Sequence, residues 1–386
     1  MRYKLGEIFN LQMGKTPDRH SPKFWNEGTE PWISIADLTK CNKYIENTAE
    51  KITATAADES GIKIIPKNTV IMSFKLSIGK VAITPKEMYS NEAIMSFIDK
   101  GVLKIEPVYL YYLLMHKDWD TGTNKAVMGK TLNKASLSQM TVNIHGYSEQ
   151  LEIIKALDAA SSIIAARKQQ LTELDNLIKA RFVEMFGDPV QNPLKWVTKS
   201  LLEMGYCKNG VNFHSGDSGI EIHCLGVGDF KDYSVVDGTD YLPTISLSEE
   251  PPEESMLQDG DIVFVRSNGN KALVGRCLVV YPHNTPTTYS GFCIRYRLTS
   301  DEVNTSYLLR VLKANSMRKK MIGRGANIQN LNQKTLATLN IPIPPMELQE
   351  QFAEFVNQTD KSKLAIQQSL DKLELLKKAL MQKYFG

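Results

Sequence analysis

Leu132-Asn133-Lys134-Ala135-Ser136-Leu137-Ser138-Gln139-Met140-Thr141-Val142-Asn143-Ile144 returns 199 residues later as Leu331-Asn332-Gln333-Lys334-Thr335-Leu336-Ala337-Thr338-Leu339-Asn340-Ile341-Pro342-Ile343. The same offset carries Gln150 to Gln349 and Phe186-Gly187 to Phe385-Gly386. Register held without a gap over that span marks an internal duplication. Upstream the copies are looser. Leu5-Gly6-Glu7 matches Leu201-Leu202-Glu203, and Ser73 to Ile83 matches Val265 to Val279 with a small insertion. Variable heads therefore sit on matching tails.

Each tail reads as one long helix. From Ser148 to Met185 there is no Pro or Gly, and apolar residues recur every seventh position at Leu157, Ile164, Leu171, Ile178 and Met185, with Leu174 filling the seam. In the second copy Phe352, Ile366, Leu373 and Leu380 keep that spacing, and Val356, Leu370 and Tyr384 form a parallel row that Thr359 and Lys377 interrupt. About 36 residues of helix reach about 50 Å, the proportion of a spacer rather than of a small domain's core helix. The two helices are expected to pair antiparallel.

A strand-like run and a breaker precede each helix. Thr141-Val142-Asn143-Ile144 leads into His145-Gly146, and Leu339 to Ile343 leads into Pro344-Pro345, whose prolines force an extended entry. Gly187-Asp188-Pro189 to Pro193 reads as a C-cap and linker. Within the heads, short β-rich runs alternate with turns at 31–35, 69–72 and 80–83 in the first and at 261–265 and 277–280 in the second. Each head also carries an amphipathic helix, near Val108 to Trp119 and Ser306 to Met321.

Composition excludes several classes. Lys and Arg number 46 against 43 Asp and Glu, so any nucleic-acid contact must come from local basic patches. The cysteines (Cys41, Cys207, Cys224, Cys277, Cys293) are odd in number and scattered, which fits reduced thiols in a cytoplasmic protein. No apolar run approaches the ~20 residues of a membrane span.

Catalytic signatures are each missing a required residue. Gly14-Lys15-Thr16 and Gly129-Lys130-Thr131 look like P-loop ends, yet Phe9 and Asn124 stand where the first phosphate-cradling glycine belongs. Pro251-Pro252 and Pro344-Pro345 lack the Asn and the aromatic of a methyltransferase loop, no Glu-x-Lys occurs, and Asp229-Phe230-Lys231 is the one Asp-x-Lys. The six histidines show no metal spacing. No catalytic residue, metal or cofactor is expected on this chain.

What remains is basic, polar turns placed alike in both heads. Ser73 to Lys80 displays Lys75, Ser77 and Lys80, and Arg266 to Arg276 displays Arg266, Ser267, Asn268, Lys271 and Arg276. Arg pairs with guanine edges, Asn with adenine and Lys with phosphate, so these turns suit DNA, a solvated hairpin being the alternative. Lys125 and Lys130, and Arg324, Asn327 and Gln329, lead into the shared Leu-Asn step, and Lys15 and Thr16 complete the DNA-facing candidates. The run Arg310, Lys313, Arg318, Lys319, Lys320, Arg324 offers several phosphate contacts or a solvated helix face.

Taken in order, six features resemble the specificity subunits of type I restriction-modification systems across essentially the whole chain. They are Leu5-Gly6-Glu7-Ile8, Pro31-Trp32-Ile33, Ser77-Ile78-Gly79-Lys80-Val81-Ala82, the Ile341 to Gln351 helix entry, Met185-Phe186-Gly187-Asp188-Pro189, and the doubled architecture. The resemblance implies an α+β fold with a pseudo-twofold internal repeat: two α/β target-recognition domains joined by two long helices in an antiparallel coiled coil. Its boundaries would be 1–146 and 188–345 for linker and heads, and 147–187 and 346–386 for the helices. It further implies a non-catalytic DNA-binding subunit that reads a bipartite duplex target. Its partners would be two modification subunits carrying S-adenosylmethionine and two restriction subunits, with no membrane. Helix pairing and partner docking would fall to Leu157, Ile164, Leu171, Leu174, Ile178, Phe352, Val356, Ile366, Leu370, Leu373 and Leu380. A free-standing quasi-twofold DNA-binding protein is the alternative, and a coiled-coil adaptor whose heads bind protein is a third. His145-Gly146, where the second copy has Pro344-Pro345, is the one departure.

Overall fold

The computed structural model describes residues 1–75, 77–119, 124–126, 129–214, 216–230, 234–322 and 330–386, with backbone alone for 124–126 and 129–131. The chain forms two compact units, one of residues 1–168 with 368–386, the other of 169–367. Each unit thus holds one head, the near part of one long helix and the far part of the other.

The two long helices are Tyr147–Phe186 and Met346–Phe385, forty residues each and separated by the same 199-residue offset as the sequence repeat. Both run across the division between units. A helix of this length is read easily because its hydrogen bonds are local and its apolar stripe recurs with the helical turn.

The first head is built on a four-stranded antiparallel sheet in the order Phe9–Met13, Ile94–Asp99, Val70–Ser73, Val81–Ile83. The second repeats that order as Gly205–Asn209, Cys293–Leu298, Asp261–Val265, Cys277–Tyr281, and adds Val235–Asp237 in parallel at the edge. A three-stranded sheet accompanies each: Glu50–Ile52, Glu30–Ile33 and Tyr89–Ser90 in the first, Thr244–Leu247, Ile220–Leu225 and Thr287–Tyr289 in the second. A two-stranded ladder closes each head below its long helix, Arg2–Lys4 on Thr141–Asn143 and Thr198–Ser200 on Asn340–Pro342.

The main core of the first unit packs Val70, Met72, Phe97, Tyr109 and Leu113 against Ile153 and Leu157 from the start of the first helix and Met381 from the end of the second. In the second unit Ile262, Phe264, Tyr307 and Leu312 pack against Ile178, Phe182 and Phe186 from the end of the first helix and Phe352 and Val356 from the start of the second. The two helical segments run antiparallel within each unit. Asp158 lies near Lys377, and Lys168 bridges Glu374, in the first; Lys363 bridges Asp175, and Phe182 meets Phe352, in the second.

Of the residues expected on the pairing face, Leu157, Ile178, Phe352, Val356 and Leu370 are buried, and Ile164, Leu171, Leu174, Ile366, Leu373 and Leu380 are half-buried. Sequence spacing missed an aromatic exchange. Tyr109 meets Phe385 at 5.5 Å between ring centroids, and Tyr307 meets Phe186 at 4.8 Å, so each head's tyrosine packs edge-to-face on the end of the other copy's helix.

It also missed a pair of buried glutamines. Gln150 Nε2 donates to the carbonyls of Lys104 and His145 while its Oε1 accepts from Glu106 N. Gln349 does the same with Glu302, Pro344 and Asn304 N. The helix entry is held by the same three bonds in both copies, whether His145-Gly146 or Pro344-Pro345 precedes it.

Candidate nucleic-acid interface

The two hairpin loops singled out by their basic residues are built to one plan. Val70, Ile71 and Met72 pair with Ile83, Ala82 and Val81; Asp261 through Phe264 pair with Val280 back to Cys277. One step further, Ser73 N donates to Lys80 O at 2.9 Å, and Val265 N donates to Arg276 O at 2.9 Å. Lys80 and Arg276 therefore hold the same place. Each loop ends on a glycine in the left-handed region, Gly79 at φ +87° and Gly275 at φ +74°, where a side chain would be strained. The extra residues of the second copy lie between these closures, in 266–275 against 74–79.

Two other segments reach each hairpin root, and a third braces one of them. Phe74 N donates to Ala93 O and Arg266 N to Phe292 O, so the turn before the central strand touches the loop. Leu132 N donates to Phe74 O and Leu331 N to Arg266 O, which docks the Leu-Asn step beside it. The chain leaving the first strand closes the group, Lys15 N donating to Ser90 O and Val211 N to Tyr289 O. This last crossing is tight: a Cβ on Gly14 would lie 2.2 Å from Ser90 O, and one on Gly210 2.2 Å from Ser290 O. Gly14 serves a backbone crossing, which accounts for a glycine before Lys15-Thr16 without any phosphate.

In the first head the convergence gathers Thr16, Lys75 and an acid that the sequence reading passed over. The Thr16 hydroxyl donates to the Glu92 carboxylate. Partial desolvation pushes the Glu92 carboxyl up, but the Thr16 hydroxyl, a backbone amide and the nearby Lys75 and Arg19 outweigh it and hold it below its ordinary value. Lys75 lies over the Phe74 ring at 5.3 Å, Lys15 Nζ donates to Ser60 O, Lys80 Nζ to the Thr39 hydroxyl, and Ser77 is exposed. Arg19 stacks on Trp25 and Trp32 and pairs with Glu50. Lys125 and Lys130 face each other in a short ladder, Asn124–Ala126 on Gly129–Thr131; their side chains lie outside the described residues.

In the second head Arg266 is half-buried, its Nη1 reaching Gly291 O at 3.4 Å. Ser267 N donates to Phe292 O, and Ser267 bridges Asn330. Asn268 turns the loop by accepting Asn270 N at 2.8 Å, Lys271 is exposed, and Arg276 is half-buried. Arg318 donates to the carbonyls of Ala272 and Val274 and so ties the loop to the helix Asn315–Ile322. Arg324, Asn327 and Gln329 lie outside the described residues.

The basic run from Arg310 divides. Arg310 and Lys313 are turned inward, where burial pulls both below their ordinary values; Asp360 and Asp175 lie near Arg310, and Lys313 Nζ donates to the Ser234 hydroxyl. Lys319 and Lys320 remain exposed. Charge was legible in the sequence; the side of the helix was not.

The family described as the type I restriction modification DNA specificity domain matches residues 1–176 and 232–376. The chain belongs to this family of type I specificity subunits. It is similar to the type I restriction enzyme MjaIX specificity subunit of Methanocaldococcus jannaschii, 22% identical over 98% of this chain and 91% of that one. Its fold matches the type I restriction-modification S subunit from M. genitalium, with a TM-score of 0.56 at 15% identity, covering 100% of this chain and 96% of that one. A chain solved in work on complex assembly and conformational transition of the type I system matches with a TM-score of 0.61 at 16% identity, covering 100% and 97%. Specificity subunits are the non-catalytic, DNA-binding members of these systems. Among the described residues no helix is long and apolar enough to cross a membrane.

Proposed function

We propose that this specificity subunit reads a bipartite duplex target, one half-site per head. The heads would be 1–146 and 188–345, and the helices 147–187 and 346–386 an antiparallel coiled-coil spacer that sets the gap. Two modification subunits and the restriction subunits dock on this frame and bring the methylation and cleavage chemistry. The observation that carries the reading is the shared hairpin root. Two heads of one construction present different side chains at a matched place, Lys80 against Arg276, and place the half-buried Arg266 where the first head has the buried Phe74, as two readers of different sequences require. Each long helix belongs to both compact units, and forty residues reach about 60 Å, which suits a spacer.

The test replaces Arg266 and Arg276 with Ala in the assembled methyltransferase and maps the methylated adenines. Recognition should relax at one half-site, by about 1–3 kcal/mol per lost guanine contact. Equal relaxation at both half-sites contradicts the reading. Four residues inserted after Lys168 should change the spacing between half-sites and leave each half-sequence intact. Gel shifts with and without modification subunits separate this reading from free-standing DNA binding.

A further inference from the structure

Resting on the reading that the hairpin roots face DNA bases, the second head presents one side chain that no sequence pattern marked. Phe292 is 62% exposed. Single exposed apolar residues are ordinary on protein surfaces, so exposure alone decides nothing. Position and rigidity do. Phe292 O accepts both Arg266 N at 2.8 Å and Ser267 N at 3.2 Å, the two residues that open the candidate reading loop. The turn beneath the ring is pinned on every side. Gly291 N donates to Val211 O, Cys293 N to Ser290 O, and Phe292 N to the Ser290 hydroxyl, while Asn212 Oδ1 occupies the space a side chain on Gly291 would need. In the first head the matching residue is Ala93, buried, and the exposed residue of that turn is Glu92.

We propose that Phe292 makes an apolar contact with the C5-methyl of a thymine in the half-site read by the second head. Among base edges in the major groove the thymine methyl is the one apolar feature, and phenylalanine is among the side chains that meet it. The residue is tied to Arg266 through the backbone, Arg266 N donating to Phe292 O and the Arg266 guanidinium reaching Gly291 O at 3.4 Å, and that guanidinium suits a guanine edge in the same groove. The turn is also flanked by polar residues, Asn212 beside Gly291 and Ser267 on the Phe292 carbonyl, of the kind that line a base-reading surface rather than an apolar protein contact. The first head, with Glu92 in this turn, offers a carboxylate instead, which suits the amino group of cytosine.

The experiment uses the complex of this chain with its modification subunits and duplexes carrying the sequence mapped from methylated adenines. Each thymine of the second half-site is replaced singly by deoxyuridine, which removes the methyl and nothing else. One position should weaken binding about fourfold, the worth of one buried methyl. In F292A that position should no longer distinguish thymine from uracil, while F292L, which keeps an apolar tip, should retain part of the preference. The proposal is overturned if no thymine position is sensitive, if F292A keeps the sensitivity, or if F292A instead weakens association with the modification subunits. Failure of the underlying reading has a separate signature: R266A and R276A would leave the second half-site's specificity unchanged. If those variants change it while F292A keeps its uracil sensitivity, only the Phe292 contact falls.

Discussion

Replacing Gln349 with Leu removes a fully buried amide of nearly the same volume and isolates its hydrogen bonds from its packing. Gln349 Nε2 donates to Glu302 O at 3.0 Å and to Pro344 O at 2.8 Å, and its Oε1 accepts from Asn304 N at 2.9 Å. A buried neutral hydrogen bond is worth about 1 kcal/mol net, and a donor stranded without a partner costs about 1–3 kcal/mol. Three bonds lost together, with the Asn304 N–H the worst-placed group, come to about 3 kcal/mol, a large share of the 5–15 kcal/mol that holds a typical domain. The damage should spread along one route. Asn304 also caps the helix Thr305–Lys313 by accepting from Ser306 N and Tyr307 N, and Tyr307 packs edge-to-face on Phe186. Urea unfolding gives the free energy, and native-state amide exchange at Asn304, Ser306 and Tyr307 gives the location. Gln150→Leu, with its matching bonds to Lys104, His145 and Glu106, should cost the same and act on the first unit. A loss below about 0.5 kcal/mol, the range of ordinary surface substitutions, or unchanged exchange at Asn304, would refute the reasoning.

Gly14→Ala and Gly210→Ala each drive a Cβ to 2.2 Å from a backbone carbonyl oxygen that cannot move aside, and should cost about 3 kcal/mol in the unit concerned, read as a lowered unfolding midpoint. His283 is held above its ordinary value by its hydrogen bond to Asp237 and by nearby Asp259. Because its folded pKa is raised, the protonated ring adds stability below its unfolded value of 6.5, a contribution lost as pH rises through the folded pKa. NMR titration should place His283 above 6.5, and Asp237→Asn should bring it down; an unmoved titration in that variant removes the pairing from the account. Burial pushes the thiols of Cys207 and Cys224 up to about 12 and that of Cys277 to about 11, so they should react slowly with disulfide reagents at pH 8 and fully in urea. Rapid labelling of Cys224 or Cys277 in the folded chain would count against those burials.

The duplication, the two long helices and a minority of the strands in the heads were legible in the residues, while strands such as Phe9–Met13, Ile94–Asp99, Gly205–Asn209 and Cys293–Leu298 were not. The reason is that each legible feature rests on local pattern. Helical hydrogen bonds span four residues, so the stripe from Leu157 to Ile178 declares a helix without any partner, and a kept 199-residue register needs no coordinates. The β-rich runs at 261–265 and 277–280 likewise match observed strands almost residue for residue.

What a residue faces was not legible, because it depends on partners far along the chain. The equivalence of Lys80 with Arg276 follows from strand register across loops of different length. Arg310 and Lys313 turn inward because their helix packs under the sheet beside the long helices, while Lys319 and Lys320 on the next helix stay in water. The sequence by itself determined that this chain is two related heads on two related helices with no catalytic constellation. Only the tertiary structure decided that Gln150 and Gln349 pin the helix entries, that Phe385 and Phe186 serve the opposite copies' heads, and that Phe292 stands exposed beside Arg266. Each of these is a contact or an exposure created by chain segments that no local periodicity brings together.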